Sequence, residues 1–221
     1  MRPIDKGTTL NTYAKYSEAK DDLRDTLGSY CSYCEMNISN GMDIEHISPN
    51  SKNETLINDW DNLLVACKVC NRIKSDNNEN RDGYIFPDTH NTAYAYAYRY
   101  TKTKVFVNED LSESENLLAQ ATLDLVDINR EKDSTNRKDD RYVARLIEWD
   151  KAEDSVKDFT LSNGAEMTRQ IGRSPSGFIS SWLTVFKHHK EVKKEILSHT
   201  LGTDFSCFDN DFNPIESLDK S

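Results

Sequence analysis

Four of the five cysteines stand in two Cys-x-x-Cys pairs, Cys31 with Cys34 and Cys67 with Cys70. Two such pairs supply four thiolates, the ligand set that a structural zinc ion takes in tetrahedral geometry. Between the pairs lie the adjacent Glu45 and His46 and, further on, Asn62; Asn71 follows the last cysteine directly. An imidazole is the side chain whose pKa lies nearest neutrality, so His46 suits the activation of a water molecule. A carboxylate and an amide oxygen are hard donors, so Glu45 and Asn71 suit magnesium or manganese better than zinc. Two metals with separate jobs are therefore expected.

Hydrolysis of a phosphodiester fits these groups. It needs a base to deprotonate water and a partly hydrated cation to neutralise the scissile phosphate and the departing oxygen. Lys68, Arg72 and Lys74 follow on what reads as a helix beginning after Cys67, with no Gly or Pro from 68 to 74. All three are expected to contact phosphates, Lys74 foremost, each contact adding to the salt dependence of binding.

The residues in this order resemble the HNH endonuclease family, whose pattern is an acid–His pair on a first strand, a middle Asn before an apolar pair, and Cys-x-x-Cys followed by His or Asn. The resemblance implies that Glu45 and Asn71 hold a catalytic divalent ion, that His46 is the general base and that Asn62 ties the hairpin together. It departs from the commoner pattern in having Glu45 where Asp is usual and Asn71 where many members have His. The lead-in Leu27-Gly28-Ser-Tyr-Cys31-Ser-Tyr-Cys34-Glu35 and the late Gly177-Phe178-Ile-Ser-Ser-Trp182 are similar to one branch, the nuclease subunits of Septu anti-phage systems. Those subunits work beside an ATPase, which implies an ATPase partner subunit here. By family likeness the product ends would be a 5′-phosphate and a 3′-hydroxyl. The alternatives are an RNA-cleaving effector and a zinc-stabilised interaction module whose site is silent. A Cys-x-x-Cys pair in a zinc ribbon often does no more than hold a loop, and a His between two Ile on a strand is commonly structural.

Composition bounds the rest. The chain has 221 residues, 30% of them charged, with a net charge of −10 and a mean hydropathy of −0.77. No apolar run approaches a bilayer span, and the N-terminal residues lack the apolar stretch of a signal peptide, so a cytoplasmic protein without membrane association is expected. Paired cysteines fit metal binding in a reducing compartment; Cys207, left over, lacks a nearby base and reads as a plain structural thiol. So acidic a chain is poorly suited to grip long nucleic acid alone, which calls for locally concentrated basic groups or a partner that supplies the grip.

The expected fold class is α+β: a small ββα-metal (HNH) module with a four-cysteine zinc site, embedded in a mostly α-helical body. Residues 1–82 are expected to hold an N-terminal helix and the nuclease module, and 83–221 a β-hairpin and helices that dock a partner. Ser17 is expected to cap a helix bearing Ala19, Leu23 and Leu27 on one face and ending at Gly28. Strands are expected from Asp43 to Ile47, closed by Pro49, and from Leu63 to Ala66. Tyr94, Tyr96, Tyr98 and Tyr100 alternate with small residues and read as one strand face, for packing in preference to base stacking, with Lys104 to Val107 pairing back. Ser112 and Glu115 form a capping box, followed by a stripe of Leu117, Leu118, Ala121, Leu125 and Ile128. A charged break over Asn129–Asp140 leads into a helix to Phe159 striped by Tyr142, Leu146, Trp149 and Val156, and Asn163-Gly164 reads as a turn. One long helix from Ser176 is expected to carry Phe178, Trp182, Phe186, Val192 and Ile196, with Lys187, Lys190, Lys193 and Lys194 on its solvent face.

Overall fold

A computed structural model describes residues 1–99, 104–131, 139–162 and 164–220 of the chain. The chain opens as an extended arm whose Ile4 is buried and bridges Thr203. A 3-10 turn over Tyr16–Ala19 runs into α1 (Lys20–Leu27). Ser17 does not cap it: Glu18 reaches back to the amides of Ala14 and Lys15 instead, and the turn starts two residues earlier than a Ser17 cap would place it. Ala19, Leu23 and Leu27 are buried on one face, and Gly28 ends the helix at φ 76°, a left-handed geometry that glycine adopts without a Cβ clash.

β1 (Asp43–His46) and β2 (Leu63–Ala66) pair antiparallel, Asp43 opposite Ala66 and His46 opposite Leu63. Residues Leu63–Ala66 are all buried, as an apolar run covered on both faces should be. α2 (Lys68–Lys74) begins directly after Cys67, whose sulfur accepts from the Cys70 amide as the helix cap. A second small sheet pairs β3 (Tyr96–Tyr98) with β4 (Val105–Val107).

Tyr94 is not on that strand. Thr92–Ala95 forms a helical turn, α3, because the Asn91 side chain caps the Tyr94 amide, and this local bond outweighs the alternation. Tyr96 packs inward with its hydroxyl on the Ala119 carbonyl, and the Tyr98 hydroxyl bonds to the Met1 nitrogen. Tyr100 lies outside the described residues, as do 101–103 of the expected return, most of the charged break and Asn163.

α4 (Glu113–Leu125) starts at the Ser112–Glu115 capping box. Its buried face is Ala119, Thr122, Leu123 and Leu125; of the expected stripe Leu125 and Ile128 are buried and Leu118 packs on the core, while Leu117 is exposed. In α5 (Arg141–Leu161) the expected stripe holds in part: Trp149 is buried and Val156 packs inward, but Leu146 is exposed. Arg141, Arg145, Glu148, Trp149, Ala152 and Phe159 face inward, and Val143, Leu146 and Ile147 face outward. Polar groups can take the inner face because each finds a partner: the Glu148 carboxylate, for example, accepts from the Trp182 indole at 2.9 Å and from the Ser176 amide at 3.1 Å.

α6 (Ala165–Gly172) was not expected, and the single long C-terminal helix is two, α7 (Ile179–Val185) and α8 (Lys190–Ser198). The break at Phe186–His189 lets Phe159, Phe186 and His189 pack together, with ring centroids 5.1 to 6.3 Å apart. The continuous basic face is thereby lost: Lys190 pairs with Asp211 at 2.6 Å, and Lys193 is buried with its ammonium 2.7 Å from the Asn213 side-chain oxygen. Cys207 is buried, which pushes its thiol up to about 11. No described helix is long and apolar enough to cross a membrane.

One apolar core runs from the arm through the first sheet to Ile128 and takes in Leu218; a second gathers α5, α6, α7, α8 and the tail.

Candidate active site and metal centre

The four paired cysteines converge. Their Sγ atoms lie within 4.8 Å of one another, all four residues are buried and none is in a disulfide. A cluster of this kind could bind a metal ion. The first pair sits in a tight turn in which the Glu35 amide donates to the Cys31 carbonyl, and the Ser32 amide donates to Val65 of β2; the second pair is the cap and first turn of α2. Hydrogen bonds from Cys31, Cys34 and Cys70 hold Cys67 well below an ordinary thiol, while burial pushes Cys34 and Cys70 up.

β1 turns Asp43 and Glu45 toward α2. Glu45 is 2% exposed, with one oxygen 2.6 Å from the Lys74 ammonium and the other accepting from the Tyr33 hydroxyl at 2.6 Å. Lys74 is fully buried and also donates to the His46 carbonyl at 2.8 Å. The expectation that Lys74 lies on an open helix face for phosphate contact is therefore corrected: it is an internal counter-ion, drawn inward because a buried carboxylate needs one. Lys68 and Arg72, one turn apart, do lie exposed on α2. Asn71 turns its amide to the Asp43 carboxylate at 3.4 Å.

His46 is half-buried at the end of β1. Its Nε2 lies 2.9 Å from the Ile57 carbonyl, and the Tyr16 ring meets it edge-on at 4.7 Å. A carbonyl only accepts, so Nε2 must carry the proton and the neutral ring keeps Nδ1 as a free lone pair. Burial lowers its pKa from the ordinary value, the Ile57 bond and Glu45 opposing. Asn62 is buried and ties the segment after β1 to the approach of β2. Its oxygen accepts from the Ser48 amide at 2.7 Å, and its nitrogen donates to the Ser48 and Leu56 carbonyls at 3.0 and 3.1 Å.

The sequence reading missed Tyr33, Asp43, Tyr16 and Arg141. Asp43 was legible, since the two-residue period of a strand puts it on the face of Glu45. Tyr33 lies inside a cysteine pair but carries no local sign of its partner. Tyr16 and Arg141 have no local signal; Arg141 reaches the cluster across the fold, donating to Cys70 Sγ at 3.3 Å.

The segments 27–35 and 177–182 touch. Phe178 donates its amide to the Glu35 carbonyl at 3.0 Å, and Ser180 donates its amide and hydroxyl to the Glu35 carboxylate at 2.8 and 2.5 Å. Residues 31–77, which contain both cysteine pairs, β1, β2 and α2, match the family model described as HNH endonuclease. No curated protein matches the chain.

Proposed function

Proceeding from an HNH endonuclease domain at residues 31–77, we propose that the chain is a divalent-metal-dependent endonuclease hydrolysing phosphodiester bonds, in DNA in preference to RNA, with His46 as general base. The observation that carries this reading is the 2.9 Å contact of His46 Nε2 with the Ile57 carbonyl, from which the tautomer follows. The Ile57 carbonyl fixes the proton on Nε2, which leaves Nδ1 to take a proton from water as the water's oxygen attacks phosphorus. The bond to the 3′-oxygen then breaks and the leaving oxygen takes a proton from solvent, giving a 5′-phosphate and a 3′-hydroxyl. Burial keeps the ring neutral and ready to accept.

Magnesium or manganese, held by Glu45 and Asn71, would neutralise the scissile phosphate and the leaving oxygen. The donor set fits a hard cation: Asn71 and the carboxylates of Asp43 and Glu45 lie between β1 and α2. Both Glu45 oxygens are engaged, one by the Lys74 ammonium and the other by the Tyr33 hydroxyl, so taking the ion would require Glu45 to give up one of these bonds. Asn62 holds the loop that carries the Ile57 carbonyl, and so positions His46. Lys68 and Arg72 contact the flanking phosphates. The four cysteines fit zinc: the Cys34–Cys67 sulfur separation is 3.8 Å, and the edge of a tetrahedron with Zn–S near 2.3 Å is about 3.8 Å.

In the segments 27–35 and 177–182 the chain resembles PtuB, the nuclease subunit of the Septu anti-phage system, and we assign it the same work in the cytoplasm beside an ATPase like PtuA. The net charge of −10 supports a division of labour in which that partner grips nucleic acid and residues 83–221 dock onto it. A second reading, a silent zinc-stabilised interaction module, is favoured by the Lys74 ammonium lying against Glu45. Cleavage of plasmid DNA and of total RNA by wild type and His46→Ala, with magnesium or EDTA and with or without the ATPase subunit, separates them. Magnesium-dependent cutting of DNA that His46→Ala abolishes is expected. Folded wild-type protein that cuts nothing under any condition would select the silent module.

A further inference from the structure

Arg141 lies outside the matched residues, yet it is fully buried against the cysteine cluster. Its Nη1 donates to Cys70 Sγ at 3.3 Å and to the Val126 carbonyl at 2.8 Å. Nη2 donates to the Asp127 carbonyl at 2.9 Å and to Asp139 at 2.8 Å, and Nε to Asp139 at 2.9 Å. The whole fork is thus committed, with Asp139 gripping one edge bidentately and the Cys70 sulfur taking the other. Arg145, one turn further along α5 and also buried, donates to the Ile128 carbonyl at 2.8 Å, and its charge interacts with Cys34 and Cys70.

Four thiolates around one divalent zinc carry a net charge of −2, which is costly to bury without compensation. Groups that donate to metal-bound atoms from outside the ligand set orient those atoms and tune retention of the metal. Building on the zinc reading above, we propose that Arg141 is a positioning residue of the metal centre. Its N–H···S bond to Cys70 offsets the tetrathiolate charge and couples retention of zinc to docking of α5 on the nuclease module. The zinc then holds two parts of the molecule together: the hairpin-and-helix unit, and the long helix that carries the C-terminal region. A guanidinium suits this role better than an ammonium, because one rigid plane spans the sulfur, two carbonyls and a carboxylate.

The test measures zinc per chain and the rate of zinc transfer to a chromogenic chelator for full-length wild type, Arg141→Met and Arg141→Lys. It also records the thiolate-to-metal charge-transfer absorption of the cobalt-substituted proteins. Wild type should hold one zinc. Arg141→Met should release it about tenfold faster or more and shift the cobalt band, with Arg141→Lys, which keeps the charge, in between. Should Arg141→Met fail to fold, the lysine variant still reports both quantities. Wild-type release rates and an unchanged band in a folded variant, even one that melts earlier, would overturn the proposal. A folded wild type without zinc would overturn the zinc reading beneath it.

Discussion

At the scale of single residues, the first sheet is governed by how buried charge is satisfied. Glu45 and Lys74 are both almost fully buried and meet at 2.6 Å. Removing one partner of such a pair leaves the other charged and unpaired, at a cost of about 3–5 kcal/mol. Lys74→Met should therefore destabilise strongly in urea melts, and adding Glu45→Gln should recover part of the loss; a double variant no more stable than the single would contradict the pairing. Of the residues singled out from the sequence, the four cysteines, Glu45, His46, Asn62 and Asn71 were conspicuous as candidates because their types and order are unusual. What each touches was not. Lys74 reads as an exposed cation on a helix, and only the three-dimensional position of Glu45 turns it inward.

At the scale of elements, two contacts lock the arm and the late helices onto the module. Arg81 grips Asp88 bidentately at 2.7 and 3.1 Å, and Lys6 lies 3.6 Å from the same carboxylate while donating to the Trp60 and Leu63 carbonyls. Burial alone would raise the Asp88 pKa, but the Arg81 bonds and charge lower it below the ordinary value. The folded pKa is thus depressed, so the stabilisation is complete above the unfolded value near 3.9 and fades as pH falls through the folded one. Arg81→Met should lower stability at pH 7 by about 1–3 kcal/mol, with the deficit closing in strong acid; a deficit equal at pH 7 and pH 2.5 would dismiss the ion pair as its cause. Gly177 sits at φ 151°, where a Cβ would stand 2.8 Å from the Glu35 carbonyl oxygen. Gly177→Ala should push α7 off the first cysteine turn, seen as a lower melting temperature and faster amide exchange at Phe178. Element positions in 43–74 follow from alternation, Pro49 and the cysteine pairs. The Tyr94 turn, the rotated face of α5 and the split of α7 from α8 do not, because side-chain caps and long-range partners override period there.

At the scale of the whole molecule, the core that surrounds the matched residues is completed by Ile85, Phe86, Tyr96, Val105, Ala119, Leu123, Val126 and Ile128. A fragment ending at residue 82 lacks all of them. Expressed alone with zinc, it should show no cooperative thermal transition by circular dichroism, whereas the full chain should; a cooperative melt of the fragment would make 83–221 dispensable for folding. Local chemistry in the sequence brought the four cysteines of the cluster into view and marked the residues proposed to hold a second ion and activate water, since ligand type and spacing are carried by short stretches. It also determined the strands and helix that bear them, because apolar period and capping act over a few residues. Only the tertiary structure decided the partners: Lys74 for Glu45, Ile57 for His46, Arg141 for Cys70 and Ser180 for Glu35. Those pairings join residues distant along the chain, and the need of each buried polar group for a partner is met by whatever the fold brings near.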